Sequence, residues 1–285
     1  MTAPIIRRLA DLRAIHRNWI RAGEVVGVVP TMGALHAGHL SLVEAAKAAC
    51  DRVIVTIFVN PKQFNSPEDL ANYPRTEHAD ADKLSPYGVD VIYVPDPEEV
   101  YPSGFASSVT VAGVTDVMEG AKRPGHFDGV ATVVAKLFLQ TGAHQAFFGE
   151  KDYQQLLVVR RMARDLDIPI EVIGCPTVRE ASGLAMSSRN MRLSDAALVQ
   201  AGKLHPILMR LASDLAAGGN FDDLVGPAKA DIAAAGFDEI EYLSLCAADD
   251  LRPLNNAVCP ARLFVAAWLE GVRLIDNVAV EPAAK

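Results

Sequence analysis

The feature that most limits how this chain can fold is a repeated alternation of short apolar runs with helical stretches through its first 175 residues. The runs cover residues 25–29, 53–59, 89–94, 143–148 and 170–173. They are closed in turn by Pro30, Asn60-Pro61, Pro95, Gly149 and Gly174. Short, continuous apolar runs bounded by breakers are the pattern of strands buried on both faces of a parallel sheet. Helical patterns over 40–49, 77–84, 130–139 and 154–166 fall between them. Strand, helix and strand in repetition predict an α/β fold with a doubly wound, Rossmann-like parallel sheet. Such sheets bind ligands beyond the carboxyl ends of their strands, so the residues after each strand are where chemistry is to be sought.

Residues 176–194 have no clear period and many small or polar side chains, which reads as a functional loop and a domain border at once. Helices follow over 196–217 and 221–235, then strands over 240–247, 263–269 and 272–277, the last two joined like a hairpin at Glu270-Gly271. The expected organisation is a sheet domain over 1–176 and a smaller α+β lid domain over 177–285. Ala283-Ala284-Lys285 is expected to fray.

Half the residues are hydrophobic and 22% are charged, which excludes wholesale disorder. A net charge of -8 gives no global attraction to nucleic acid or to anionic membranes. An anionic ligand therefore needs a local cluster of donors. No membrane span is expected, because no run of 18 apolar residues occurs. The N-terminus is too charged for the apolar core of a secretory signal, which points to the cytoplasm. Cys50, Cys175, Cys246 and Cys259 stand far apart without a CxxC pair, so they read as ordinary thiols rather than a disulfide framework or a zinc site.

After the first run comes Pro30-Thr31-Met32-Gly33-Ala34-Leu35-His36-Ala37-Gly38-His39, leading into a helix. Two histidines three apart should share one face of a helical turn, beside free backbone N–H groups and the positive end of the dipole. That setting favours a phosphate, to which a neutral imidazole still donates one N–H. Gly33 and Gly38 leave room for a nucleotide against the backbone. The GxGxxG fingerprint of dinucleotide enzymes is absent here.

A second constellation, Ala185-Met186-Ser187-Ser188-Arg189-Asn190, lies in the aperiodic stretch. Two hydroxyls, an Arg and successive N–H groups in a mobile loop suit the charge of a departing pyrophosphate. Together the two elements resemble the HIGH and KMSKS signatures of the class I synthetase and nucleotidylyltransferase superfamily. The lysine that would open KMSKS is missing, since Leu184-Ala185 precede Met186. Lys151, in Gly149-Glu150-Lys151-Asp152-Tyr153-Gln154-Gln155 after the fourth run, is the candidate replacement, with Gly149 and Asp152 placed for a ribose. After the second run stands Phe58-Val59-Asn60-Pro61-Lys62-Gln63-Phe64, whose neutral amides suit a hydroxy acid. Arg123, in Arg123-Pro124-Gly125-His126-Phe127-Asp128-Gly129-Val130, can grip a carboxylate or phosphate.

These motifs, in this order and over nearly the whole chain, resemble the pantothenate synthetase family, the pantoate–β-alanine ligases. The resemblance implies an ATP site at Met32, Gly33, Ala34, Leu35, His36, Ala37, Gly38, His39, Gly149, Glu150, Lys151, Asp152, Val178, Met186, Ser187, Ser188 and Arg189. His39, His36 and Lys151 would be catalytic, with His39 the proton donor. Gln63 and Gln155, with Asn60 and Arg123, would bind pantoate, and Gln63 would also lie next to β-alanine. It further implies ATP with Mg2+, an acyl-adenylate intermediate, small-molecule partners and a homodimer, with no metal site built from protein ligands. Asp80 and Asp82, two apart on one helix, do not face one way and read as a solvated face. Trp19, Trp268, His16, His144 and His205 read as packing or surface residues. The rival readings are a nucleotidylyltransferase acting on a phosphate ester and a non-enzymatic nucleotide-binding module.

Overall fold

Valine- and isoleucine-rich runs build the centre of the N-terminal part, where successive side chains are buried on both faces of one sheet. The computed structural model describes residues 3–282, so the expected fraying of residues 283–285 lies outside them. The sheet consists of β1 (Ile5–Ile6), β2 (Val26–Thr31), β3 (Arg52–Ile57), β4 (Val91–Tyr93), β5 (Gln145–Gly149) and β6 (Glu171–Cys175). All pairs are parallel, in the order β1-β4-β3-β2-β5-β6, and helices flank the sheet. The order reverses between β2 and β5, so the binding crevice of such a sheet opens beyond their carboxyl ends.

Every expected strand is present, with shifted ends. β2 runs through Pro30 to Thr31, although Pro30 was expected to close it. The pairing of β2 with β5 ends at Val28↔Ala146, so that side needs no N–H from residue 30, while β3 still pairs Pro30 with Thr56. β1 and the helix Leu9–Arg21 were not foreseen, because only Leu12 of that helix is fully buried and its apolar stripe is thin. The helix Glu77–Leu84 lies where its pattern predicts.

The chain divides into two compact units. Glu150 and Gln154–Pro176 belong with the parallel sheet, whereas Lys151–Tyr153 belong with the residues from Thr177 onward. The second unit carries an antiparallel sheet of β7 (Glu239–Ala247), β8 (Ala261–Leu269) and β9 (Val272–Val280), in that order. The expected hairpin turn has positive φ at both Glu270 and Gly271. The helix expected over 196–217 is two helices, Asp195–Ala201 and Leu204–Ala216. They part at Gly202, where a Cβ would stand 2.9 Å from that of Ser182. Leu204, Leu208, Leu211 and Leu215 then form one buried stripe at helical spacing against the second sheet's core.

Cys50, Cys175 and Cys246 are buried and Cys259 is half-buried, all as free thiols. Among the described residues no helix is long and apolar enough to cross a membrane, and no three His, Cys, Asp or Glu side chains converge to hold a metal. Leu208 is completely shielded from solvent. Leu208→Ala should therefore cost the second unit about 2–5 kcal/mol, read as a lower midpoint in urea unfolding.

Candidate active site

In the sheet unit the loop after β2 is held from beneath by Asp80. This carboxylate is wholly buried and accepts hydrogen bonds from Ala34 N–H at 2.9 Å, Leu35 N–H at 2.8 Å and the Thr76 hydroxyl at 2.9 Å. Consecutive positive φ values at Gly33 (84°) and Ala34 (51°) curl the backbone into a concavity of N–H groups. The expectation of a solvated Asp80 is thus overturned. Of the backbone N–H groups expected free at the helix start, those of His36, Gly38 and His39 are engaged within the loop, as is that of Gly33. Asp82, by contrast, is exposed.

The two histidines come together by a different route from a shared helical face. His36 is the extended cap (φ -135°, ψ 175°) of the helix Ala37–Ala49, and His39 lies in its first turn. Gly38 N–H donates to His36 Nδ1 at 3.1 Å and His36 N–H to His39 Nδ1 at 3.3 Å, a capping box made of imidazoles. A backbone N–H cannot accept, so each neutral ring carries its own proton on Nε2 and is an N–H donor there. The ring centroids lie 4.1 Å apart.

Beyond β3, Gln63 is clamped by residues from several parts of the unit. Asn60 Nδ2 donates to Gln63 Oε1 at 2.9 Å and to Gly129 C=O at 3.0 Å, and Gln63 Nε2 reaches Met32 Sδ at 3.1 Å. The Gln63 carbonyl accepts from His126 Nδ1–H at 2.8 Å and from Arg123 at 3.3 Å. Gly129 lies so close that a Cβ would fall 2.3 Å from the Lys62 carbonyl oxygen. The Arg-Pro-Gly-His motif thus serves to hold Gln63, and the charge of Arg123 is met by Glu119 at 2.7 Å. Gln154 is buried and spends its side chain on Val114, Val117 and Glu119 backbone. Its half-buried neighbour Gln155 makes no side-chain hydrogen bond among the described residues. Gly149, at the end of β5, faces open space.

In the second unit Lys151, Ser187, Arg189, Asn190, Arg273 and Asp276 line a common recess. Ser187 caps the short 3-10 turn Ser188–Arg192 by accepting Arg189 N–H. The segment before it is tied down by hydrogen bonds in this conformation. Met186 N–H donates to Val178 C=O, Arg179 bridges to Ala185, and Asn190 Nδ2 reaches Glu180 and the Ala185 carbonyl. Arg179 also forms a bidentate pair with buried Asp276 at 2.7 and 2.9 Å. Lys151 Nζ lies 3.8 Å from the half-exposed Asp152 carboxylate, and the Lys151 carbonyl accepts from Asn277. Lys151, from outside the serine-rich segment, thus lines the same recess as Ser187 and Arg189. His16 and His144 bond to the Gly142 carbonyl and the Val26 N–H within the sheet unit. His205 packs against Gly183, with its Nδ1 3.9 Å from the Asp276 carboxylate.

The family model described as pantoate-beta-alanine ligase matches residues 4–279. A pantothenate synthetase of Ruegeria pomeroyi is 72% identical over 280 residues, 98% of each chain. The crystal structure of pantothenate synthetase from Thermus thermophilus matches with a TM-score of 0.90 at 46% identity, over 98% of this chain and 99% of that one. A crystal structure of a pantoate-beta-alanine ligase from Francisella tularensis, complexed with beta-gamma ATP and beta-alanine, matches at a TM-score of 0.81 and 36% identity over 97% of both chains.

Replacing the Asp80 carboxylate by an amide puts a donor where backbone donors converge. Asp80→Asn should lose about 1–3 kcal/mol in chemical denaturation, while Asp82→Asn stays within about 0.5 kcal/mol of the parent.

Proposed function

Because the chain belongs to the pantoate-beta-alanine ligase family, we propose that its two sets of donors carry out that family's reaction on pantoate, ATP and β-alanine. It is a ligase that uses ATP to join the two acids through an amide bond. A carboxylate is a poor acyl donor to an amine, because its oxygen leaves badly. Attack by the pantoate carboxylate on the α-phosphorus of ATP makes a mixed anhydride and releases pyrophosphate. The amine of β-alanine then attacks the acyl carbon, AMP departs, and pantothenate is formed. No covalent nucleophile from the protein is required; positioning, charge neutralisation and exclusion of water suffice.

In this scheme His36 and His39 donate Nε2–H to phosphoryl oxygens, and His39 serves as the proton donor. Lys151, Ser187, Ser188 and Arg189 take up the charge of the departing pyrophosphate, while Gly149 and Asp152 attend the ribose. Met32, Ala34, Leu35, Ala37, Glu150, Val178 and Met186 complete the nucleotide's surroundings. Gln63 and Gln155 hold pantoate, and Gln63 lies by β-alanine. Asn60 acts on pantoate through Gln63, because its own amide is already engaged, and Arg123 completes the pantoate subsite. The residues from 177 onward act as a lid during turnover.

Magnesium enters with ATP, held chiefly by phosphate oxygens, as its hydration chemistry favours. Asp80 is not among its ligands in this scheme, since backbone amides occupy that carboxylate. A cytoplasmic homodimer is the assembly that the family resemblance supports.

The observation that carries the reading is Lys151 lining one recess with Ser187 and Arg189, which supplies the cation that the serine-rich motif lacks. His36→Ala and Lys151→Ala should each cut pantoate-dependent exchange of pyrophosphate into ATP by at least about tenfold, or about 1.4 kcal/mol. Parental exchange rates in both variants would refute the assignment. In an omission assay, AMP and amide should form together only when ATP, Mg2+, pantoate and β-alanine are all present. A product that keeps the nucleotidyl group would instead mark a transferase.

A further inference from the structure

Asn60 is 1% exposed, and both atoms of its amide are fully used. Oδ1 accepts from the Tyr101 hydroxyl at 2.8 Å and from Lys62 N–H at 3.3 Å. Nδ2 donates to the Gly129 carbonyl at 3.0 Å and to Gln63 Oε1 at 2.9 Å. A backbone N–H can only donate and a carbonyl can only accept, so these neighbours exclude the flipped amide. The orientation then passes along the chain of bonds. With Oε1 taken by Asn60, Gln63 must present its NH2 group. One of its N–H bonds meets Met32 Sδ, a weak acceptor, and the second is left to donate elsewhere.

We propose that Tyr101 is a positioning residue for the acid-binding subsite: its hydroxyl pins the Asn60 amide, which in turn makes Gln63 offer N–H to an acceptor oxygen of the substrate acid. The proposal rests on the assignment of Gln63 to pantoate made above. Tyr101 supplies the short bond to Oδ1, and the 3.3 Å bond from Lys62 is too long to hold that oxygen alone. Its ring is set by Phe58 and Phe105, with centroids 6.1 and 5.1 Å away, and by the Lys62 ammonium 5.3 Å over its face. Burial pushes the Tyr101 hydroxyl well above the usual phenol range, so it stays a donor at any pH at which the enzyme would be assayed. An amide held this way favours an ionised carboxylate or an alcohol oxygen and opposes a ligand that presents a donor at the same point.

Tyr101→Phe keeps the ring and its packing and removes the hydroxyl alone, so it separates this role from core filling. The KM for pantoate should rise roughly fivefold or more, while the KM for ATP stays within about twofold and the melting temperature falls by no more than roughly 5 °C. In a Gln63→Ala background the same substitution should add little further, because the residue through which it acts is gone. A pantoate KM within about twofold of the parent, or an undiminished effect of Tyr101→Phe in the Gln63→Ala background, would overturn the link while leaving the ligase assignment intact. If Gln63→Ala itself leaves the pantoate KM unchanged, the subsite assignment fails and the proposal falls with it.

Discussion

The buried carboxylate of Asp80 is the interaction on which the first half of the site depends. A carboxylate without solvent survives only where donors surround it, and here two successive backbone amides and a hydroxyl do so, with the Lys83 ammonium 4.0 Å away. In exchange, the carboxylate holds Ala34 in a left-handed conformation that an alanine adopts only under constraint. The loop's anion-binding concavity is thereby filled by the protein itself.

The same division of labour recurs around Gln63. Asn60, Arg123, His126 and the bare backbone of Gly129 all bear on its position. Motifs that look like lists of binding residues turn out to include many side chains whose bonds are to other residues of the same unit. In the second unit the same holds for Asn190 and Arg179, which tie down the segment carrying Ser187 and Arg189.

How much of this was legible in the sequence follows from the range of each interaction. The parallel strands and the helix Glu77–Leu84 write their pattern into consecutive residues, and both were readable. The place of Lys151 beside the serine-rich segment was also readable, because the absent motif lysine left a gap in charge that one nearby cation could fill. Strand ends were less so: whether Pro30 ends β2 depends on which neighbour still pairs at that height, and residue order does not say. Asp80 was misread because its partners lie 45 and 46 residues away, and two aspartates spaced by two resemble a wetted face. The split of the helix expected over 196–217 was legible after all in Pro206, which fits the first turn of a new helix but cannot continue one begun at residue 195.

The imidazole capping box has a consequence for what positions 36 and 39 can be. Serine or aspartate would begin the helix as well, since either offers an oxygen to the first-turn amides. Neither presents a second donor on the far side of the same rigid ring. Histidine joins the two tasks in one rigid ring, so a doubly protonated ring would surrender its acceptor and with it one of the bonds that hold the helix start. One proton's place on five atoms thus links the strength of that helix start to the side on which the ring can donate.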